Sequence, residues 1–182
     1  MPNHVKNRVS FSGKDVYSIL EKVNNEGEFD FERIIPMPET ISRGNISFEE
    51  MKASKGNNWY DWSIANWGTK WNAYDCEFGG NGVEFSTAWS MPEPIFVKLS
   101  EMFPEIEITV EYADEDMGNN VGIMVLLNGG IVSWDELSGT KAGYDLALEI
   151  RYGMSFDDYI NEYYSGYEED SKSLREYYES LG

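Results

Sequence analysis

The chain has 182 residues, of which 41% are hydrophobic and 15% aromatic, enough for one folded domain with a substantial core. Its formal net charge of −19 repels phosphate backbones and favours basic partners. One cysteine and one histidine exclude a disulfide framework, a four-thiolate metal site and histidine-rich zinc chemistry. No secretory h-region and no apolar run of spanning length occur, so we expect a soluble protein of a reducing cytoplasm.

The N-terminal third predicts a strand followed by a helix. Residues 4–12 alternate between apolar and polar side chains, which is typical of a half-buried strand. Residues 16–23 carry apolar side chains at helical spacing. Ser12, with Asp15 three residues later, predicts a capping box for this helix. Residues 39–57 are polar and predict a loop with one short helical turn.

The densest aromatic stretch runs from Trp59 to Asp75 and holds four of the six tryptophans. Its first part has helical spacing, and Gly68 is expected to end that helix. An alternating pattern from Trp71 onward predicts a strand. Because aromatic rings bury large areas, we expect this corner to seed the core. A ligand platform, on which indoles stack bases or sugars, is the alternative.

The rest of the chain predicts further strands and helices. Glycines at 79–82 indicate a hairpin, and Asn128-Gly129-Gly130 indicates a second one. Ser90 and Glu93 predict a capping box ahead of an apolar helix. The predicted strands are 71–78, 83–89, 105–112, 121–127 and 131–134, and the predicted helices are 95–103, 144–152, 156–164 and 171–181.

This order of elements predicts an α+β fold. It has a ferredoxin-like βαββαβ core with an antiparallel sheet, an extra β-hairpin and an acidic helical C-terminal extension. We divide the chain into a ferredoxin-like α+β domain over residues 1–135 and the acidic helical extension over residues 136–182, packed on or beside it.

The negative charge is concentrated in the second half of the chain. Residues 1–100 hold 10 basic and 14 acidic residues, whereas residues 101–182 hold 4 and 19. Carboxylates on one face of a strand recur at about 6.8 Å, close to two phosphate steps of DNA. Tyrosines among the acids of the tail add side chains suited to anchoring an interface. The candidate partner-binding residues are Glu105, Glu107, Glu111, Asp114, Glu115, Asp116, Asp157, Asp158, Glu162, Tyr163, Tyr164, Tyr167, Glu168, Glu169 and Asp170.

Three sequence blocks resemble a known family. They are FDF with IIPMP at 29–38, WYDW with NWGTKWNA at 59–73, and FSTAWS at 85–90. Together they resemble the Api92-like/YubB ferredoxin-like family, over roughly residues 3–125. The resemblance implies a gene carried by phages and plasmids, and so a protein of the host bacterial cytoplasm. It implies no catalytic residues, and "ferredoxin-like" names a fold only, since one cysteine cannot ligate an iron–sulfur cluster.

These observations lead to three hypotheses about function. The first is a counter-defence protein, with an anti-CRISPR protein as the leading case. It would bind and inhibit a nucleic-acid-handling enzyme through an acidic, DNA-mimicking surface. The alternative for any acidic cluster is a solvated face that serves solubility.

The second hypothesis is a nucleic-acid-binding module, by analogy with the sheet aromatics of ferredoxin-like RNA binders. No RNP-like pattern accompanies it.

The third is a metal-dependent hydrolase that uses the acids at 114–116, which lack EF-hand spacing. Cys76 lies between two acids that disfavour its thiolate, and His4 is expected to be a surface or satisfied side chain. We therefore expect no enzyme activity, no cofactor and no metal.

Overall fold

The computed structural model describes residues 3–45, 47–54 and 56–181. Eight strands lie in this part of the chain: β1 (His4–Gly13), β2 (Asn24–Asn25), β3 (Glu28–Phe29), β4 (Tyr74–Gly79), β5 (Gly82–Ala88), β6 (Ile106–Asp114), β7 (Val121–Leu127) and β8 (Gly130–Glu136). Seven α-helices accompany them: α1 (Val16–Val23), α2 (Phe48–Ser54), α3 (Trp59–Trp67), α4 (Glu93–Met102), α5 (Lys141–Tyr152), α6 (Phe156–Tyr163) and α7 (Glu168–Ser180). Among the described residues, no helix is long and apolar enough to span a membrane.

Six strands form one antiparallel sheet in the order β4-β5-β1-β6-β7-β8. Along the chain, β1, α1, β4, β5, α4 and β6 give the order βαββαβ, with β2, β3, α2 and α3 inserted between α1 and β4. Their strands lie in the sheet in the order β4-β5-β1-β6. This is the split βαβ arrangement of a ferredoxin-like fold, as the sequence predicts. The hairpin of β7 and β8 extends the sheet beyond β6. Its two-residue turn has positive φ at Asn128 and Gly129, which is the reason for an Asn-Gly pair there.

The main core lies on the face of the sheet that holds Val5, Val9 and Phe11 of β1. Aromatic rings dominate it: Phe29 stacks on Phe85 with ring centroids 4.6 Å apart. The other fully buried aromatic and aliphatic side chains nearby include Phe31, Phe96, Ile19, Ile95 and Leu99, so α1 and α4 cover this face.

The tryptophan-rich corner contributes to this core at its edge. Helix α3 ends at Gly68, whose φ of 77° is left-handed, as predicted. Trp67 is buried and donates its indole N–H to Ile35 O at 2.8 Å, whereas Trp59 and Trp62 are only half-buried. The strand begins at Tyr74 and not at Trp71, so the predicted start is wrong by three residues.

Both predicted capping boxes are wrong. The N-cap of α1 is Asp15, in a left-handed conformation and without a side-chain cap bond. Ser90 donates its hydroxyl to Gly68 O at 2.5 Å instead of capping α4, whose N-cap is Pro92. Ser90 thus bonds to a residue distant in sequence, and not to the start of α4 as its local sequence suggests.

The second face of the sheet is covered at one end by α5. Ala113 and Val121 pack there against Leu146, Ala147 and Ile150. Arg8 of β1 donates to Glu111 of β6 at 2.6 Å and to Glu149 of α5 at 2.9 Å, which ties the helix to the sheet. These carboxylates raise the pKa of Arg8, and the hydrogen bond that Arg8 donates to Glu111 is the largest cause. The C-terminal helices thus begin on the sheet itself, and the division at residue 135 stays a prediction.

Truncation of Phe85 tests the aromatic core. The Phe85→Ala substitution removes a fully buried ring that contacts Phe29, Phe31 and Phe96, and it leaves a cavity. We expect it to lower the free energy of unfolding by about 3–5 kcal/mol, measured by urea denaturation. Tyr17→Ala, at an 85% exposed ring, is the control and should change it by less than about 0.5 kcal/mol. Equal effects of the two substitutions would contradict this description of the core.

Candidate partner-binding surface

Helices α6 and α7 are held to α5 by an aromatic core of their own. Phe156 stacks on Tyr178 with ring centroids 3.8 Å apart and planes within 6°. Tyr144 lies edge-on to both rings, and Leu148 and Ile160 complete the cluster. The Tyr178 hydroxyl donates to Asp145 at 2.6 Å, which links α7 to α5 directly. This cluster fixes the position of the acidic residues on α6 and α7.

A cluster of tyrosines lies at the surface beside this core. Tyr159 is 5.1 Å from Tyr152 and 4.9 Å from Tyr163, between ring centroids. Burial, and then the neighbouring tyrosines, raise the pKa of Tyr159 to about 12, so this hydroxyl is neutral at physiological pH. Of the three candidate tyrosines, Tyr163 is 51% exposed and Tyr167 is 63% exposed, whereas Tyr164 is half-buried and packs into the cluster. Two of the three are therefore accessible to a partner.

The candidate acids of the tail fall into two groups. Asp157 pairs with Arg175 at 2.6 Å, and Asp158 accepts the hydroxyl of Ser155 at 2.6 Å as part of the α6 cap. The second group is exposed, and no described lysine or arginine forms an ion pair with its members: Glu162, Glu168, Glu169 and Asp170. Three of these four lie in the first turn of α7. Their charge is thus available to an approaching cation.

The candidate acids around β6 do not form the continuous row that the spacing predicts. Glu105 and Glu107 are exposed, and Glu107 lies on the open second face of the sheet. Glu111 shares that face, but Arg8 neutralises it. Asp114 points to the other side and is only 5% exposed. The row of exposed carboxylates along β6 therefore ends at Glu107. Glu115 and Asp116 are also exposed, but they lie in the loop after β6.

Asp114 is a structural residue that joins three chain segments. It accepts hydrogen bonds from the side chains of Asn3 at 3.1 Å and Asn120 at 2.9 Å, and from the Asp116 amide at 2.9 Å. Asn120 also donates to Trp89 O at 3.0 Å. A buried carboxylate with three donors holds the end of β6 in place and is not available to a partner.

Sequence reasoning missed a cation–aromatic cluster at the end of β5. The Lys70 ammonium lies 4.5 Å from the centroid of Trp71, 5.3 Å from Trp89 and 5.9 Å from Tyr60. Trp89 has a φ of 72°, a left-handed conformation that is rare for a bulky side chain. The density of aromatics signals the cluster, but no local pattern predicts the turn that places Trp89 in it.

The open second face of the sheet offers little for base stacking. Within the described strands it carries Lys6, Arg8, Ser10 and Glu84, and Tyr74 is its one aromatic ring. Tyr74 lies at the end covered by α5 and forms a hydrogen bond with His4 Nδ1. His4 is therefore a satisfied side chain, as expected. The sheet aromatics that would support RNA binding by analogy are not found on this face.

A comparison with protein-family models relates part of the chain to a known family. Residues 66–153 match the model described as a ferredoxin-like domain in Api92-like protein. Over this range, just under half of its length, the chain is similar to an Api92-like ferredoxin-like domain. The matched range begins in α3 and ends just after α5, so it differs from the range of 3–125 expected from the sequence blocks. The FDF–IIPMP block lies outside it, and the NWGTKWNA and FSTAWS blocks lie inside it.

Among solved structures, the chain is similar to protein api92 from Yersinia pseudotuberculosis. The two share 18% sequence identity, and the match covers 59% of this chain and 39% of that one, with a TM-score of 0.43. The chain thus spans well under half of the length of that structure. None of the curated proteins compared with the chain matches it.

The chain contains one histidine and one cysteine as candidates for catalytic or metal-binding groups. Within the described part of the chain, no three His, Cys, Asp or Glu side chains lie close enough to hold a metal ion together. Burial raises the pKa of Cys76 to about 11, although the Phe29 amide donates to its sulfur at 3.3 Å and opposes the shift. Glu28 and Asp75 add to the increase. The poor thiolate predicted from acidic neighbours is confirmed, with burial as its main cause. That the protein is not an enzyme stays a prediction.

Alkylation tests the state of Cys76. Because its pKa lies about two units above the ordinary value, the thiolate fraction in the folded domain at pH 8 should be about 100-fold lower than in the unfolded chain. We expect iodoacetamide to react at least that much more slowly with native protein than with protein in urea, measured by mass spectrometry. Similar rates in the two states would contradict the assignment.

Removal of the Asp114 carboxylate tests its structural role. Asp114→Ala leaves three donors without an acceptor, so we expect the free energy of unfolding to fall by about 2 kcal/mol, measured by urea denaturation. Glu115→Ala removes the neighbouring, exposed carboxylate and is the matched control, with an expected change below about 0.5 kcal/mol. A neutral effect of Asp114→Ala would show that the carboxylate does not join the three segments.

Proposed function

We propose that this protein is a counter-defence protein of a mobile element. It binds a basic, nucleic-acid-handling enzyme of the host, with a CRISPR nuclease as the leading case, and inhibits it by occupying the channel for the nucleic acid. The Api92-like domain is the scaffold, and the partner contacts the exposed acids and tyrosines of α6 and α7. Resemblance to a family carried by phages and plasmids supports the mobile-element origin.

The observation that carries the proposal is the combination of exposed tyrosines with unpaired carboxylates on one helical extension. Tyr163 and Tyr167 expose half or more of their surface, and Glu162 and Glu168 lie next to them in sequence. Tyrosine is enriched in the centre of protein interfaces because its ring buries area at a small cost in side-chain entropy. Solubility alone requires acids, but it does not require exposed aromatic rings among them.

The acids have a second role in the encounter with the partner. Carboxylates that carry no ion pair create a negative potential that speeds association with a basic channel. The exposed acids near β6, such as Glu105 and Glu107, extend this field along the sheet. Residues 101–140 contain nine acidic residues and no lysine or arginine, so no positive charge interrupts the field within that segment.

Nucleic-acid binding by this chain is less well supported. A net charge of −19 opposes it, and the open sheet face carries one aromatic ring at its covered end. The Lys70 cluster joins a cation to three rings, but one lysine neutralises at most one phosphate. Neither feature of the described residues supplies the row of basic side chains that would follow a nucleic-acid backbone.

Charge reversal in the first turn of α7 tests the proposal. The variant Glu168→Lys/Glu169→Lys/Asp170→Lys changes the net charge by +6 at exposed positions. Purified CRISPR effector nucleases with bound guide RNA, and restriction enzymes for comparison, are assayed for binding and cleavage of target DNA. We expect the wild-type protein to inhibit at least one enzyme in competition with DNA. The variant should inhibit it at least about tenfold less at low salt, and added salt should narrow this difference.

The matched control is Glu21→Lys/Glu39→Lys/Glu49→Lys, which makes the same charge change at exposed positions of the first half of the chain. If both triple variants lose inhibition equally, net charge acts rather than the α7 surface. If no nucleic-acid-handling enzyme is inhibited, or if inhibition is insensitive to salt, the proposed function is wrong.

A further inference from the structure

We propose that β8 is a docking edge that takes up an extended, basic segment of the partner as an additional antiparallel or parallel strand. The basic nature of the segment rests on the proposed function, whereas the mode of docking follows from the sheet itself. No exposed acid of the tail is needed for it.

The two edges of the six-stranded sheet differ. At one edge, β4 contains a bulge near Asp75 and lies beside the β2–β3 hairpin, where the Phe29 amide donates to Cys76. At the other edge, β8 pairs with β7 on one side only, and all seven of its residues are exposed. Its register also shifts once, at Val132, and is regular from Ser133 to Glu136. Open edge strands promote unwanted pairing, and proteins usually protect them with lysine, proline or a covering segment. β8 contains neither lysine nor proline.

The backbone of β8 has hydrogen-bonding groups directed away from the sheet. Leu137 N donates to Val121 O at 2.9 Å, which makes this pair a hydrogen-bonded one. In an antiparallel ladder such pairs alternate with pairs that do not exchange hydrogen bonds. Asp135 and Ser133 therefore point their amides toward β7, and Trp134 and Glu136 point theirs outward. These outward groups are the ones that an added strand would use.

The side chains of β8 provide apolar contacts at the same edge. Ile131 is 41% exposed, Val132 is 64% exposed and Trp134 is 40% exposed. The Trp134 indole N–H donates to the Tyr112 hydroxyl at 3.0 Å, and that hydroxyl donates in turn to Glu136 at 2.5 Å. The Trp134 ring is thus held in place beside the core with much of its surface open. A fixed, partly exposed indole is suited to anchor a bound segment.

The negative charge of β8 and its flanking residues favours a basic segment as the strand that docks there. Asp135 and Glu136 lie in β8, and no lysine or arginine occurs in the 40 residues from 101 to 140 that surround it in sequence. A strand carrying lysine or arginine complements these acids. A second copy of this chain, at a net charge of −19, would place like charges opposite one another, so pairing of two β8 strands is disfavoured.

A peptide experiment tests the docking edge without the natural partner. The probe is a ten-residue peptide of alternating lysine and valine, and its control carries N-methyl groups on four consecutive central amides, which block both of its edges. Binding is measured by calorimetry, and protection of the amides of residues 134 and 136 by hydrogen exchange. We expect the unmodified peptide to bind at least about tenfold more tightly than the methylated one and to slow exchange at both amides.

Two substitutions at Trp134 distinguish the contribution of its backbone amide to peptide binding from that of its side chain. Trp134→Ala removes the indole, and Trp134→Pro also removes the outward amide, a change tolerated on edge strands. We expect the alanine variant to weaken peptide binding about tenfold and the proline variant to weaken it about tenfold more. The methylated peptide leaves the protein unchanged, so the test does not depend on folding of the proline variant.

The outcomes distinguish this inference from the proposed function. Equal binding of both peptides, or protection away from β8, overturns strand addition, whatever the nuclease assays show. If the protein alone forms dimers in which the β8 amides are protected, the edge pairs with a second copy of the chain, and the proposal of a basic segment is wrong. Peptide docking at β8 with no inhibition of any nuclease supports the docking edge and contradicts the proposed function.

Discussion

The alternation of side chains along β1 assigns the residues of the whole sheet to two faces. Because β1 lies between β5 and β6, its apolar residues Val5, Val9 and Phe11 determine which neighbours meet α1 and α4. Its charged residues Lys6 and Arg8 lie on the other face, where Arg8 pairs with Glu111 and Glu149 and so attaches the C-terminal helices. A shift of register by one residue would bury Arg8 among phenylalanines and expose the core. The ferredoxin-like scaffold and the position of the acidic tail thus depend on the same strand.

Some acids of this protein stabilise the fold and others are exposed to a partner, and the number of acids alone does not show which are which. Glu111 balances a partly buried guanidinium, and Asp114 organises three segments as a buried acceptor. Removing the Asp114 carboxylate would leave three donors without that acceptor, and removing Glu111 would leave Arg8 with Glu149 as its remaining partner. Glu168, Glu169 and Asp170, by contrast, are exposed at a helix N-terminus, where the helix dipole already favours negative charge. These three are the acids that a partner can reach without disturbing the fold.

The elements set by local periodicity and turn chemistry could be predicted from the sequence. The Asn128-Gly129 turn, the end of α3 at Gly68 and the helices of the tail are of this kind, because neighbouring residues determine them. The errors arose where a distant partner decides. Ser90 bonds to Gly68 O and not to α4, and Asp114 turns inward toward Asn3 and Asn120. The spacing of acids along a strand suggests a row of exposed carboxylates, but it does not show that one of them, Glu111, forms an ion pair with Arg8.

The small number of buried residues in helix α7 affects the order in which parts of the protein unfold. Of its thirteen residues, Tyr178 is the buried one, and the stack of that ring on Phe156 is its principal attachment to the core. A segment with so few buried contacts undergoes local unfolding at a much lower free energy than the central strands. We therefore expect α7, with the acids of its first turn, to open and re-form at a lower free energy than the sheet.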